Sequence, residues 1–328
     1  MSRVLGRSGI KVSEVGFGCW AIGGRVTDDT SGGAEIGWGE VDDTQSAAAL
    51  RRAFELGITF FDTADVYGTG HSERVLGRAL AGHRDEVVIA TKFGNTFDAE
   101  HRTMTGEDVS PGYIRRACAD SLRRLGTDRI DLYQLHRGGL PVARAQEVTG
   151  TLEDLVADGM IRSYGWSTDD PRSAAAFASG PHCAAVQHEL NVLADAPAML
   201  EVCQACDIAS INRGPLAMGL LTGKYHAASQ LPAGDVRGLG GPSWMGYFTD
   251  GRPAAEPLAR LAAVRDVLTD GGRTLAQGAL SWLLARSPRT VPIPGIRTVA
   301  QAEQNAAALQ LGPLPATALA EIDRLLGD

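Results

Sequence analysis

Short apolar runs rich in β-branched residues alternate along this chain with amphipathic stretches of helical length. The runs lie at residues 13–18 (SEVGFG), 58–62 (ITFFD), 86–92 (EVVIATK), 129–136 (RIDLYQLH), 161–167 (IRSYGWS), 184–189 (AAVQHE), 209–213 (ASINR) and 290–294 (TVPIP). Helical patterns follow at 43–57, 72–80, 110–126, 143–159, 170–179 and 196–206. Two more, at 256–268 and 274–285, precede the last run, and another follows it at 299–309. Local signals agree with this reading. Leu50 and Phe54 share a face ahead of Gly57, which can close that helix, and Ser110 before Pro111 is an N-cap followed by a proline at the first helical position. Eight strand–helix units are the number of a closed parallel barrel, with a doubly wound open sheet as the competing architecture.

Two long segments break the rhythm, at about 23–43 and 222–255, and each follows a strand. Segments of that length inside a compact fold are usually functional. They carry Trp38, Trp244, Tyr247 and Phe248, aromatic residues suited to covering something apolar, so Trp38, Trp244 and Tyr247 are candidate substrate contacts.

In a parallel barrel the active site lies at the C-terminal ends of the strands, and here those ends are polar. Asp62, Lys92, His136, Ser167 and Arg213 close such runs, and Gln187 lies within one. A single carboxylate facing a single lysine could be a structural ion pair. Several polar strand ends converging on one face point instead to chemistry.

Composition narrows the function without naming it. The chain has 328 residues, 44% of them hydrophobic and 21% charged, as in a soluble globular protein. Its net charge of −8 argues against a nucleic-acid or anionic-membrane partner. No segment approaches the apolar length of a membrane span and no export signal is evident, so a cytoplasmic location with five reduced cysteines is expected. The Cys203–Cys206 pair falls at a helix end, not a helix start, and is read as packing. Seven histidines include no His-x-His pair, so a metal-dependent barrel hydrolase is disfavoured and no metal is expected.

Two glycine patterns mimic nucleotide motifs. GFGCWA at 16–21 fits a dinucleotide fingerprint, but no helix follows it, and GLLTGKY at 219–225 has glycines too close for a phosphate loop and tyrosine in place of Ser or Thr. Both are rejected.

The combination FFDTADVYG, GHSERVLGRAL, ATKFG, DLYQLHR, GPLAMGLLTGKY and PIPGIRTVAQAEQN resembles the aldo-keto reductase superfamily, in particular its bacterial, potassium-channel β-subunit-like branch. The resemblance runs almost from end to end. It implies one (β/α)8 TIM-barrel domain over residues 1–328, with an N-terminal β-hairpin, two long loops over the C-terminal face and a C-terminal helix. It also implies a catalytic tetrad of Asp62, Tyr67, Lys92 and His136, and NADPH/NADP+ as cofactor.

The chemistry such a tetrad performs is reduction of an aldehyde or ketone. Tyr67 would protonate the carbonyl oxygen, with its pKa lowered by Lys92; Asp62 would hold the lysine, and His136 would orient the carbonyl. By the same resemblance Ser167, Thr168 and Gln187 face the nicotinamide carboxamide. Thr168 stands where the family commonly has Asn. Trp20, Pro215, Leu216, Gly219 and Lys224 line the rest of the cofactor site, Lys224 near the pyrophosphate. Gly295, Arg297, Thr298, Gln301, Gln304 and Asn305 hold the adenosine end, with Arg297 as the partner for a 2′-phosphate. Arg213 replaces the tyrosine that many members stack on the nicotinamide, either as a stacking plane or as a charge contact. A different class of function, a nucleotide-binding sensor resembling the channel β subunits with slow turnover, is compatible with the same tetrad.

Overall fold

The computed structural model describes residues 2–232, 234–238 and 245–327. Eight parallel strands form one sheet in sequence order: β1 (Phe17–Gly18), β2 (Phe60–Asp62), β3 (Val88–Phe93), β4 (Leu132–Leu135), β5 (Tyr164–Ser167), β6 (Cys183–Glu189), β7 (Ala209–Arg213) and β8 (Thr290–Pro292). The ring closes between first and last. Gly16 N donates to Pro292 O and Gly18 N to Pro294 O, both at 2.9 Å. That approach needs glycine, since a Cβ on Gly18 would lie 2.6 Å from Ile293 O.

Helices α1 (Asp43–Glu55), α2 (His71–Ala79), α3 (Pro111–Leu125), α4 (Val142–Ala157), α5 (Pro171–Phe177) and α6 (Pro197–Ala205) each follow a strand. Two helices, α7 (Ala255–Thr269) and α8 (Leu275–Arg286), lie between β7 and β8, and α9 (Val299–Ala306), α10 (Ala308–Leu311) and α11 (Ala316–Leu326) complete the chain. Ser110 caps α3 as its sequence position implies, accepting from Tyr113 N at 3.4 Å. Gly57 follows α1 with φ +92°, a conformation that favours glycine.

The barrel interior is filled by small and branched residues, among them Val88, Ala90, Leu132, Ala185, Ala209, Ile211 and Val291. An N-terminal hairpin, Ser2–Val4 paired with Lys11–Ser13, places Leu5, Ile10 and Val12 in the same cluster and so plugs one end of the barrel. The opposite end stays open for polar residues.

Around that open end the chain is more ordered than its sequence suggests. Within residues 23–43, Thr27–Asp28 pairs with Ala34–Glu35, and also runs parallel to Thr103–Glu107, which pairs in turn with Asn95–Asp98. This four-stranded sheet includes a segment after β3 that reads as a polar loop. Its strands are two to five residues long, too short for alternation to register. Residues 222–255 contribute the short pair Phe248–Thr249 and Arg252–Pro253. No helix among the described residues is long and apolar enough to cross a membrane.

Candidate functional site

Asp62 ends β2, opposite Ala90 in the parallel register with β3, and Lys92 lies two residues beyond Ala90. Period-two alternation therefore sends the carboxylate and the amine to the same side of the sheet. The ammonium is fully buried and spends its three donors on Asp62 Oδ1 (2.5 Å), Thr63 O (2.8 Å) and Tyr67 OH (3.3 Å). The other carboxylate oxygen, Asp62 Oδ2, accepts from Gln134 Nε2 at 2.9 Å and Gln187 Nε2 at 2.8 Å. Every donor aimed at Asp62 suits its ionised form, which offsets the cost of burying the ion pair.

Tyr67 reaches this pair because the chain turns back directly after β2. Tyr67 N donates to Ala64 O and Thr69 N to Val66 O, and Gly68 takes φ +60° against residue 23, where a Cβ would come within 1.9 Å of Gly23 O. The phenol ring stands edge-on to His136, with centroids 5.7 Å apart, and stacks on Trp20 at 6.1 Å. His136 follows β4; its backbone N donates to Phe93 O at 2.8 Å, and Asn95 Nδ2 lies 3.3 Å from its Nδ1.

The electrostatics differ from the expectation in one respect. Burial raises the Tyr67 pKa above its ordinary value; Lys92 opposes that rise without overcoming it, and Asp62 adds to it. The phenol therefore stays protonated. For Lys92, burial works against the ammonium, but the Asp62 carboxylate and Tyr67 outweigh it and raise the pKa. Burial holds His136 well below its ordinary value, helped by the positive charges of Lys92, Arg137 and Arg213, so the ring is neutral.

Asp62, Tyr67 and His136 line a cavity of about 840 Å³ at the open end of the barrel, with Lys92 buried behind them. Trp20, Ser167, Thr168, Gln187, Pro215, Leu216, Gly219, Lys224, Gly295, Arg297, Thr298 and Gln301 line it too, as do Trp38 and Tyr247. Gln304 and Asn305 are not among its walls. Gln304 Nε2 donates instead to Thr274 Oγ1 at 3.2 Å, next to the start of α8, and Asn305 is buried. Trp244 lies outside the described residues.

Several of the expected contacts already have partners within the chain. Thr168 Oγ1 donates to Gly138 O at 3.0 Å, and Thr298 and Gln301 form a reciprocal cap on α9. Arg297 donates to Trp38 O at 3.2 Å and Glu40 O at 2.6 Å, tying the last strand–helix turn to the first long segment. Tyr247 donates to Glu189 Oε1 at 2.5 Å and accepts from Asn191 Nδ2 at 2.8 Å. Arg213 pairs with Asp169 and lies 4.0 Å from Glu189 Oε2, so its guanidinium edge is occupied by carboxylates.

Four further residues shape the site without having been singled out from the sequence. Gln134 had a signal, since it is polar and shares the parity of His136 in the run RIDLYQLH. Asn95 lies in the segment read as a loop. Arg237, with its partner Asp235, belongs to residues 222–255, whose path no periodicity reveals. Among the described residues no cluster of His, Cys, Asp or Glu could hold a metal ion.

Residues 14–326 match the family model described as "Aldo/keto reductase family". The chain is 35% identical over 324 residues to a chloroplastic pyridoxal reductase of Arabidopsis thaliana, with 92% of this chain and 80% of that protein covered. It is 31% identical over 312 residues to the aldo-keto reductase yakc [NADP(+)] of Schizosaccharomyces pombe, with 92% and 84% covered. Among solved structures, an aldo/keto reductase from Klebsiella pneumoniae in complex with NADP and acetate superimposes with a TM-score of 0.70 at 29% identity, covering 99% of this chain and 95% of that one.

Proposed function

Because this chain belongs to the aldo/keto reductase family, we propose that it is a single-domain, NADPH-dependent oxidoreductase that reversibly reduces the carbonyl group of a small aldehyde or ketone to an alcohol. One observation carries the reading. A buried ammonium, Lys92 Nζ, touches both a carboxylate, Asp62, and a phenol, Tyr67, and these two line a cavity together with a neutral histidine.

The walls of the cavity fit a dinucleotide. It runs from the tetrad to the N-terminus of α9, where Arg297 and the positive end of the helix favour an anion. Ser167 and Gln187 would hold the carboxamide, Leu216, Gly219 and Lys224 the pyrophosphate, and Arg297 with Thr298 the 2′-phosphate. When bound, the nicotinamide supplies or accepts the hydride.

The protein's own groups manage the proton. Tyr67, kept protonated by burial, donates its hydroxyl proton to the carbonyl oxygen as that oxygen becomes basic. Lys92 then stands 3.3 Å from the phenolate that results, and Asp62, held by Gln134 and Gln187, keeps the ammonium charged and in place. His136 orients the carbonyl oxygen. Trp20, Trp38, Val66 and Met104 are among the apolar residues of the wall and suit a ring-bearing or apolar substituent.

The test is Tyr67→Phe, which removes the acid and keeps the ring. NADPH oxidation with a panel of aldehydes and ketones, pyridoxal included, should fall by about 100-fold or more, the usual contribution of a positioned acid. The dissociation constant of NADPH should stay unchanged. Turnover comparable to the parent protein would refute Tyr67 as the acid.

A further inference from the structure

Asn95 begins the short strand Asn95–Asp98 at the rim of the barrel and is buried. Its backbone carbonyl accepts from Tyr113 OH at 2.7 Å, and its side-chain Oδ1 accepts from Arg137 Nη1 at 2.9 Å. Arg137 is itself held by an ion pair with Glu107. A guanidinium can only donate, so the amide atom facing it must be the oxygen, and this settles which end of the amide is which. The NH2 end is thereby turned to His136 Nδ1, at 3.3 Å.

An amide NH2 can only donate, so the nitrogen it meets must carry a lone pair. Reversing the amide would place NH2 against Arg137, two donors face to face at 2.9 Å. A doubly protonated ring is excluded by the same contact. The single proton of the neutral ring therefore resides on Nε2, across Cε1 from the nitrogen bound to Asn95.

We propose that Asn95 is a positioning residue that locks His136 in its Nε2–H tautomer, so that the ring presents a hydrogen-bond donor to a substrate carbonyl oxygen beside Tyr67. This rests on the carbonyl-reductase reading for what the donor is aimed at, but not for the tautomer itself. A carbonyl oxygen can accept from Tyr67 OH and His136 Nε2–H together. Were the proton on Nδ1, the Nε2 lone pair would repel that oxygen and compete with it for the phenol proton. Glu107, Arg137 and Asn95 thus form a chain whose last member sets the character of the histidine edge exposed to substrate.

The experiment uses the full-length protein labelled with 15N-histidine and saturated with NADP+, and reads long-range 1H–15N spectra, with His136→Gln to assign the ring. The parent protein should give the Nε2–H pattern for His136. Asn95→Asp, which replaces the donor by an acceptor of the same shape, should convert it to the Nδ1–H pattern. It should lower kcat for carbonyl reduction about 100-fold, the usual effect of losing a donor to a developing oxyanion. NADPH affinity should change less than twofold. Arg137→Met frees the amide to rotate and should give a mixture of both patterns, which keeps the test intact if Asn95→Asp does not fold. An Nδ1–H pattern in the parent protein, or an unchanged pattern in both variants, overturns the proposal. A switched tautomer with undiminished turnover upholds the lock and removes His136 from the carbonyl, so the two readings fail separately.

Discussion

The guanidinium of Arg237 lies 4.7 Å from the centre of the Trp38 ring, joining the two long segments that cover the barrel mouth. Arg237 is nearly buried, forms an ion pair with Asp235 (Nη2–Oδ2 2.6 Å), and donates to Met218 O at 2.8 Å and Tyr225 OH at 3.0 Å. Val236 N donates to Gly37 O at 3.0 Å beside it. Trp38 in turn meets Trp20 edge-on at 5.2 Å, and Trp20 stacks on Tyr67. A row of rings thus connects the clasp to the phenol. Arg237 also holds a strained turn, since Ala217 and Met218 have φ of +46° and +54°.

Opening that clasp should loosen both ligand sites without touching the tetrad. Arg237→Met keeps the stem and removes the planar cation, a loss of about 1–2 kcal/mol for a desolvated cation–π contact. The Michaelis constants for carbonyl substrate and NADPH should each rise about fivefold to twentyfold, while kcat changes less. Arg237→Lys should not restore them, because an ammonium cannot hold Asp235 through two parallel bonds. Steady-state kinetics with tryptophan emission as a second readout decides; unchanged Michaelis constants in both variants would rule the clasp out.

If Arg297 reads a 2′-phosphate, it does so while spending donors on the carbonyls of Trp38 and Glu40. A guanidinium has five N–H groups, so these two bonds orient the fork while others remain. NADPH should therefore bind at least about tenfold more tightly than NADH, from a charge-assisted contact of roughly 1.5–3 kcal/mol. Arg297→Ala should abolish that preference. Fluorescence titration with both cofactors measures it, and equal affinities in the parent protein would refute the assignment.

Arg213 stands where the family resemblance implies an aromatic residue, and its edge faces Asp169 and Glu189. Removing its charge would leave two carboxylates beside a polyanionic cofactor. Arg213→Lys should accordingly retain more NADPH affinity than Arg213→Tyr, and the gap should narrow with added salt. The opposite order would show that its flat face, and not its charge, is what the nicotinamide uses.

The barrel was legible in the sequence because its strands are buried runs at regular spacing, and the strand-end residues Asp62, Lys92 and His136 could be read from position alone. Gln134 is accessible to the same argument, since it is polar and shares the parity of His136. The four-stranded sheet at the rim was not readable, since pairs such as Thr27–Asp28 with Thr103–Glu107 are held by partners about 75 residues away and show no local period. Tyr67 shows a different limit. The lysine that lowers its pKa is visible at a strand end, but the burial that raises it depends on how the whole mouth packs. The roles of Asn95 and Arg237 likewise arise from contacts between distant segments, which no spacing encodes.

Asp65, two residues before Tyr67, has a setting that makes a separate expectation for stability. It is 1% exposed, and its Oδ1 has no hydrogen-bond partner among the described residues. Burial, reinforced by the nearby Glu73, holds its pKa well above the ordinary value, with Arg124 and Lys92 only partly opposing. Glu73 is itself engaged by Thr91 at 2.6 Å and Arg124 at 2.5 Å, so it offers Asp65 charge without a bond. The folded protein thus holds a proton on Asp65 at pH values where the unfolded chain, with a carboxyl pKa of about 3.9, has released it. Its contribution to stability is full below pH ~4 and is lost as pH rises toward the folded-state pKa, at about 1.4 kcal/mol per unit of separation. Asp65→Asn has the same shape and no proton to lose. Its melting temperature should therefore gain on that of the parent protein as pH rises from about 4 toward the folded-state pKa of Asp65, measured up to about pH 8. The pH profile of kcat/KM for carbonyl reduction should overlay that of the parent. Thermal denaturation by circular dichroism across that range is the measurement; a gap that stays constant or shrinks with rising pH would show that Asp65 is ionised in the folded protein.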